Sequence, residues 1–429
     1  MKKMLDPQEL QERIQLNFHR LADSAYYQID EVFAAGEYDW QGDKEGRALL
    51  AFVSHYKISG QKIPCMEQML EVMPKKLNAK QYIGGVQEEI VAEQQLSGHS
   101  WFLRGLCEHY EQFGDDYSLE LLKAVTENLF LPTKGIYASY PIDRTEKDEG
   151  GVGGTEIGVV GRWMLSSDVG CAFMAIDGLS HVYQVTKDER VKELLDEMIQ
   201  VYLAIDKKAL RVQTHCTLTA ARGMMRMYAN TKEEAYLEGA KSIYDLYVYG
   251  GGMTYTYHNL NWWRRPDTWS EPCAIVDSVM LAVELYKVTG DEEYRKLAAR
   301  VWHNAFSTLQ RANGGAGTET LVCEDSPWDY LQTDMYEAYF CCTMRLAEGL
   351  WYINKHQELF WCETEGIVTK KAHGIYTDGD IIYAEVTGGA EEYADGFAEV
   401  DGHKLCPIVK YYKVPKEIME NSRQKICFV

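Results

Sequence analysis

Ile176-Asp177-Gly178-Leu179-Ser180-His181-Val182-Tyr183, followed by Thr186-Lys187-Asp188-Glu189-Arg190, is the stretch from which the fold is read. It describes an apolar helix that ends in Tyr and passes through a short polar turn into a second helix. The same plan recurs along the chain. Trp101-Phe102-Leu103-Arg104-Gly105-Leu106-Cys107-Glu108-His109-Tyr110 is one copy, and Ala221-Arg222-Gly223-Met224-Met225-Arg226-Met227-Tyr228 leads into Thr231-Lys232-Glu233-Glu234-Ala235-Tyr236. Met280-Leu281-Ala282-Val283-Glu284-Leu285-Tyr286 leads likewise into Thr289-Gly290-Asp291-Glu292-Glu293-Tyr294, and residues 49–60 read as an earlier copy. Helical hairpins at a period of about 40–60 residues bury their apolar faces by stacking, as an open solenoid or a closed ring. The spacing accommodates about six of them, which predicts a mainly α fold, an (α/α)6 toroid over residues 1–358.

Outward from the repeats, the ends differ in texture. The N-terminal segment carries Leu10, Ile14, Leu16 or Phe18, and Leu21 at helical spacing, with Asp6-Pro7 as its start signal. After Glu358 come short β-branched and aromatic runs split by turn residues: Leu359-Phe360-Trp361, Gly374-Ile375-Tyr376, Asp380-Ile381-Ile382-Tyr383 and Ile408-Val409-Lys410-Tyr411-Tyr412. Residues 359–429 are therefore expected to form a short β-rich segment, too small for a complete sandwich. An exposed edge there would be covered by a second copy of the chain, which is the homo-oligomer expectation.

Charge and cysteine usage narrow the partners. The 429 residues hold 44 basic against 65 acidic side chains, a net charge of −21. That balance repels nucleic acid and anionic membrane surfaces and favours a neutral or cationic small ligand. Eleven cysteines, without pattern, in a chain that opens Met1-Lys2-Lys3-Met4-Leu5-Asp6 with no apolar leader-like run, predict a reducing, cytoplasmic setting. No apolar run is long enough to span a bilayer.

The least ordinary chemistry lies between Trp269-Ser270-Glu271-Pro272-Cys273 and Tyr339-Phe340-Cys341-Cys342-Thr343. In an extended segment Glu271 and Cys273 point the same way and present an oxygen and a sulfur together. Cys341 and Cys342 complete a four-ligand set whose soft thiolates and single carboxylate suit Zn²⁺. Against this stands the plain reading that free cysteines are small buried apolar side chains, since no Cys-x-x-Cys spacing marks a structural zinc site here.

Glu271-Pro272-Cys273-Ala274 together with Cys341-Cys342-Thr343-Met344-Arg345-Leu346-Ala347 resembles glycoside hydrolase family 127, the β-L-arabinofuranosidase type. The resemblance implies an (α/α)6 toroid followed by a β-sandwich, one zinc ion on Glu271, Cys273, Cys341 and Cys342, and Cys341 as the nucleophile that attacks the sugar. His215, in Gln213-Thr214-His215-Cys216, falls where that family has a substrate-binding His. The family's acid/base Glu has no counterpart, because Asp267 is the only carboxylate between residues 250 and 270. Asp267 is therefore the candidate acid/base, with His258 and Glu337 as substitutes.

Three long loops are expected at the mouth of such a ring. Residues 131–167 include Asp148-Glu149-Gly150-Gly151-Val152-Gly153-Gly154, which lacks the spacing of a phosphate cradle and reads as a lid or crossover. Residues 249–270 bring Tyr255, Tyr257, His258, Asn259, Trp262, Trp263, Arg264, Arg265 and Asp267, aromatic faces beside planar polar groups as a sugar site needs. Trp262 and Trp263 are candidates for sugar contact or, alternatively, plugs of the interior. Residues 312–338 are acidic and aromatic, ending in Glu337 just ahead of the Cys pair. His99 and His181 sit on apolar helix faces and read as satisfied core residues.

The function that follows is a retaining glycoside hydrolase acting on a small glycoside or oligosaccharide through a zinc-bound cysteine thiolate. Two other readings remain open at this level. One is a non-catalytic carbohydrate-binding toroid with a structural or vestigial zinc site. The other is a metal-free sugar epimerase or lyase using His215 and His258.

Overall fold

The computed structural model describes residues 1–34, 40–144, 154–320, 331–332, 336–364, 367–370, 375–384, 386–387, 399–400, 403–404 and 424–425. The chain opens with a short strand, β1 (Lys2–Met4), and helix α1 (Pro7–Asp23). Leu10, Ile14, Phe18 and Leu21 of α1 are buried, so Phe18 rather than Leu16 carries the apolar stripe. The structure divides into two compact units, Leu21–Leu246 and Met1–Arg20 with Tyr247–Val429.

The first unit is built from hairpins. After a short helix, α2 (Ile29–Val32), come α3 (Asp43–Ser59) and α4 (Cys65–Val72), α5 (Glu93–Phe113) and α6 (Asp116–Val125), α7 (Ala175–Thr186) and α8 (Glu189–Ala204), and α9 (Thr214–Thr231) with α10 (Glu234–Tyr249). α3 packs on α5, α5 on α7, and α7 on α9. These four are the inner members, buried nearly all round, whereas α6 and α8 bury one face. A small sheet, β2 (Val91–Ala92), β4 (Trp163–Ser166) and β3 (Glu156–Val160) in that order, closes the connection between the second and third hairpins.

The repeated Tyr has a structural counterpart at every turn. Each inner helix ends in a left-handed residue whose N–H donates to the carbonyl of the Tyr four residues earlier: Gly60 to Tyr56, Gly114 to Tyr110, Lys187 to Tyr183 and Lys232 to Tyr228. That is the αL helix terminus, which satisfies an otherwise orphaned carbonyl. Asp115 and Asp188 then cap the next helix by accepting a backbone N–H of its first turn.

Glycines let the inner helices approach. A Cβ on Gly46 would lie 2.2 Å from the backbone of Trp101 and Phe102, and Cβ atoms on Gly178 and Gly223 would lie 2.6 Å from the Ser100 and Ile176 carbonyl oxygens. Gly46→Ala should therefore destabilise by about 3 kcal/mol or more, the cost of overpacking, although Ala is the better helix former. A urea midpoint at or above the wild-type value would show that α3 and α5 separate freely. In the same unit, Asp177 forms an ion pair with Arg104, 3.0 Å away, and accepts from Arg226, tying α5, α7 and α9 through buried charge.

The second unit holds α11 (Pro272–Thr289) and α12 (Glu292–Val301), a π-helical turn at Trp302–Phe306, a short α13 (Ser307–Leu309) and α14 (Cys342–Lys355). Gly290 repeats the terminus by donating to Tyr286, and Asp291 caps α12. Short strands stand where the sequence suggests loops: β5 (Trp269–Ser270) at the end of the aromatic loop, and β6 (Gly317–Thr320), β7 (Leu331–Gln332) and β8 (Tyr336–Glu337) within the acidic one. β6 is the middle strand, antiparallel to both neighbours.

The β-rich end is read in part. β9 (Trp361–Glu363), β11 (Ile375–Asp378) and β12 (Ile381–Ala384) overlap the expected runs, β10 (Ile367–Lys370) falls between them where none was expected, and residues 408–412 fall outside the described residues. β9 pairs with β1, Lys2 opposite Glu363, a strand that three polar-flanked residues do not announce. Among the described residues no helix is long and apolar enough to cross a membrane.

Candidate metal and catalytic site

The β5–β6–β8 sheet builds the site. Because β6 runs antiparallel to both, β5 and β8 run in the same direction, and each delivers the chain to a helix N-terminus. β5 leads through Glu271, the N-cap residue of α11, into Cys273 in its first turn; β8 leads to Cys341, the N-cap residue of α14, and Cys342, its first residue. Glu271 and Cys273 thus converge across a strand-to-helix corner, not along one extended segment. Two helix N-termini meet with their partially positive ends toward the ligands, an arrangement that favours thiolate and carboxylate.

One ligand atom from each of Glu271, Cys273, Cys341 and Cys342 lies within 4.8 Å of all the others. Cys342 is central, its Sγ 3.3 Å from the Sγ atoms of both Cys273 and Cys341. A tetrahedral ion with metal–sulfur bonds of about 2.3 Å spaces its sulfurs at about 3.8 Å, so a small expansion seats one. Burial first, then the neighbouring thiols Cys273 and Cys341, push the Cys342 thiol well up from its ordinary value. Three crowded thiols ionise together only against a cation, and the donor set therefore fits a soft divalent metal. Cys273 is fully buried and Cys342 is 1 % exposed, whereas Cys341 keeps 6 %. Tyr339, two residues ahead of Cys341, is exposed.

Most other residues that the sequence nominates are committed to the protein itself. Trp262 and Trp263 are buried at 1 % and 0 %, Trp262 edge-on to Trp269 and Trp263 beside Gly252, so they plug the interior and present no face for a sugar to stack on. His258 is buried, with Nδ1 at 2.9 Å from the Thr256 hydroxyl and Nε2 at 3.1 Å from the Thr308 hydroxyl. It is a fixed core histidine rather than a substrate ligand. Glu337 takes a two-pronged ion pair from Arg20, at 2.9 and 3.0 Å, and accepts from the Thr343 hydroxyl, bracing α1 against the start of α14. Asp267 forms a two-pronged pair with Arg265, both bonds 2.9 Å, on an exposed turn just before β5.

His215 belongs to the Leu21–Leu246 unit, buried near the start of α9 and stacked on Trp101, with Arg47 on that indole. His99 and His181 are satisfied: His99 bonds Gln95 O and the Ile83 N–H, and His181 lies between Arg104 and Glu111. Burial lowers both to about 4. Of the loop at 131–167, residues 145–153 lie outside the described residues, as do 321–330 and 333–335 of the acidic loop.

Other supports escape the sequence reading. Asn259 Oδ1 accepts the Glu271 N–H at 3.0 Å, and Asn17 of α1 donates to the carbonyls of Gly314 and Thr343. Arg345 of α14 pairs with Asp277 of α11 and with Glu348. The signal for Asn17 was available, since it falls on the apolar stripe of α1, where a polar side chain must have a partner.

The helical hairpins and this donor set place the chain among the α/α-toroid proteins. One similar solved structure is a sugar epimerase from a ruminal bacterium, 12% identical, matched over 81% of this chain and 98% of that one with a TM-score of 0.58. Another is a GH127 β-L-arabinofuranosidase from Geobacillus stearothermophilus T6, 13% identical over 97% of this chain and 71% of that one, TM-score 0.54. At such identity these likenesses speak for the fold. Residues 152–348, which contain Glu271, Cys273, Cys341 and Cys342, match the family model described as Beta-L-arabinofuranosidase, GH127 catalytic domain, and over that stretch the chain resembles the family. A further GH127 β-arabinofuranosidase matches at 13% identity and a TM-score of 0.53 over 89% of this chain, which spans 62% of that enzyme's length. A comparison with curated proteins yields no match.

Proposed function

We propose that this chain is a retaining glycoside hydrolase of β-L-arabinofuranosidase type, with Cys341 as nucleophile and Zn²⁺ held by Glu271, Cys273, Cys341 and Cys342. The observation that carries the reading is the convergence of these four ligand atoms within 4.8 Å, with Cys341 the most exposed of the three thiols. When bound, the ion lowers thiol pKa and keeps the cysteines as thiolates at neutral pH. Cys341 Sγ then attacks the anomeric carbon and forms a thioglycosyl bond as the aglycone leaves. Water cleaves that bond in a second step, regenerating the thiolate with net retention.

Asp267 is the proposed acid/base. It protonates the departing oxygen and later takes the proton of the attacking water, which requires release from Arg265 as substrate binds. Asp267→Ala should lower kcat on poor leaving groups by about 10²–10⁴-fold and spare activated aryl glycosides. An equal loss on both would remove Asp267 from this role. The substrate class is a small neutral glycoside or oligosaccharide, in keeping with the −21 charge, and the many free thiols support a reducing, cytoplasmic setting.

A screen of aryl glycosides, with the anomeric form of the first product followed by NMR, tests the whole reading. Turnover with retention supports it; turnover with inversion removes the thioglycosyl intermediate. The engagement of Asp267 by Arg265 favours a second reading, a carbohydrate-binding toroid with a structural ion. Metal and sugar binding without turnover of any glycoside would select it.

A further inference from the structure

One turn behind the ligands lies a second layer of chemistry that the proposed reaction does not use. Asp277 is four residues after Cys273 on α11, and Arg345 is three after Cys342 on α14, so each lies along the same helix face as a thiol. Their side chains are fully buried and paired with each other, and Arg345 also meets Glu348, whose side chain is 2 % exposed. The two helices are in close contact nearby: a Cβ on Gly349 of α14 would lie 3.1 Å from Val276 of α11 and 2.9 Å from the Phe306 ring.

We propose that the Asp277–Arg345–Glu348 cluster is a positioning element, which sets the spacing and rotation of the helix N-termini bearing Cys273 and Cys341–Cys342 so that their sulfurs meet around one ion. It rests on the metal reading above. Three considerations support a geometric role. A buried ion pair is a poor source of stability, because removing both charges from water offsets most of their attraction, whereas its directional hydrogen bonds select one arrangement. The guanidinium fork is planar and cannot follow a rotation of either helix without losing a bond. Two carboxylates more than balance the one cation, so the cluster adds no net positive field to the thiolates, which leaves position as its contribution.

The test uses the full chain with Asp277→Leu, Arg345→Met and Glu348→Gln combined, which removes every charge of the cluster and keeps apolar volume. Zinc affinity is read by competition with a chromogenic chelator, the ligand geometry by the visible bands of the Co²⁺-substituted protein, and the fold by circular dichroism and thermal midpoint of the metal-free form. The expected result is a helical, cooperatively unfolding protein whose metal affinity falls about 10–100-fold, as for lost outer-shell partners, with altered cobalt bands. Unchanged affinity and bands would make the cluster merely structural and overturn the proposal. Should the triple variant fail to fold, Arg345→Lys replaces the fork with a point charge: a folded protein with several-fold weaker metal binding is expected, and wild-type affinity overturns the proposal. Wild-type protein that binds neither metal would instead overturn the metal reading itself, and this proposal with it.

Discussion

Cys341→Ser should reduce aryl-glycoside turnover by about 10⁴-fold or more, the scale on which a lost nucleophile acts, while the helical circular dichroism stays at the wild-type level. The serine hydroxyl fits the site but is a far weaker nucleophile than a thiolate near neutral pH. The substitution also changes a ligand, so metal content is measured on the same sample. A variant that keeps its metal and loses turnover isolates the nucleophile. Turnover that survives would transfer the covalent role away from Cys341, and Cys342 is then poorly placed to inherit it, being central among the three thiols and 1 % exposed.

The second large effect concerns the ion. Protein purified under reducing conditions should carry about one zinc per chain, and Cys273→Ala combined with Cys342→Ala should carry none. Free zinc at about 1,000 times Kd should stabilise the metal-free wild type by about 4 kcal/mol and leave the double variant unmoved. Because the Cys342 thiol is pushed up by burial and by its two neighbours, protons compete with the metal, and affinity should rise with pH. Zinc-free protein that also takes up none on addition would leave four ordinary buried cysteines.

The donor set is a case where sequence and structure agree on identity but not on means. Glu271, Cys273, Cys341 and Cys342 are legible because thiols and a carboxylate are rare partners. The device that gathers them is not, since β5 and β8 are two residues each and β6 lies in a Gly-rich stretch without strand alternation. Pairing across a sheet depends on register between segments about 50 residues apart, which no local pattern carries.

The neighbouring side chains divide differently. Trp262, Trp263, His258 and Glu337 look like sugar-site residues in composition, yet the structure shows two indoles in the interior, an imidazole between threonines and a carboxylate on Arg20. Residue type states what a group can bind; burial decides what it has already bound. The same side chain serves a ligand or a core according to which partners the folded chain places beside it, and Arg20 for Glu337 and Thr308 for His258 are distant in sequence.

By itself the sequence determined the repeat. Hydrophobic period, the Tyr before the end of each inner helix, the left-handed residue four positions later and the Asp that caps α6, α8 and α12 are all local, because helix formation and termination use contacts within about one turn. Tertiary structure alone decided which helices approach closely enough to need Gly46, Gly178 and Gly223, and how β1 finds β9. It alone also decided that Asp277 and Arg345 stand behind the thiols, since those contacts join residues that only packing brings within reach.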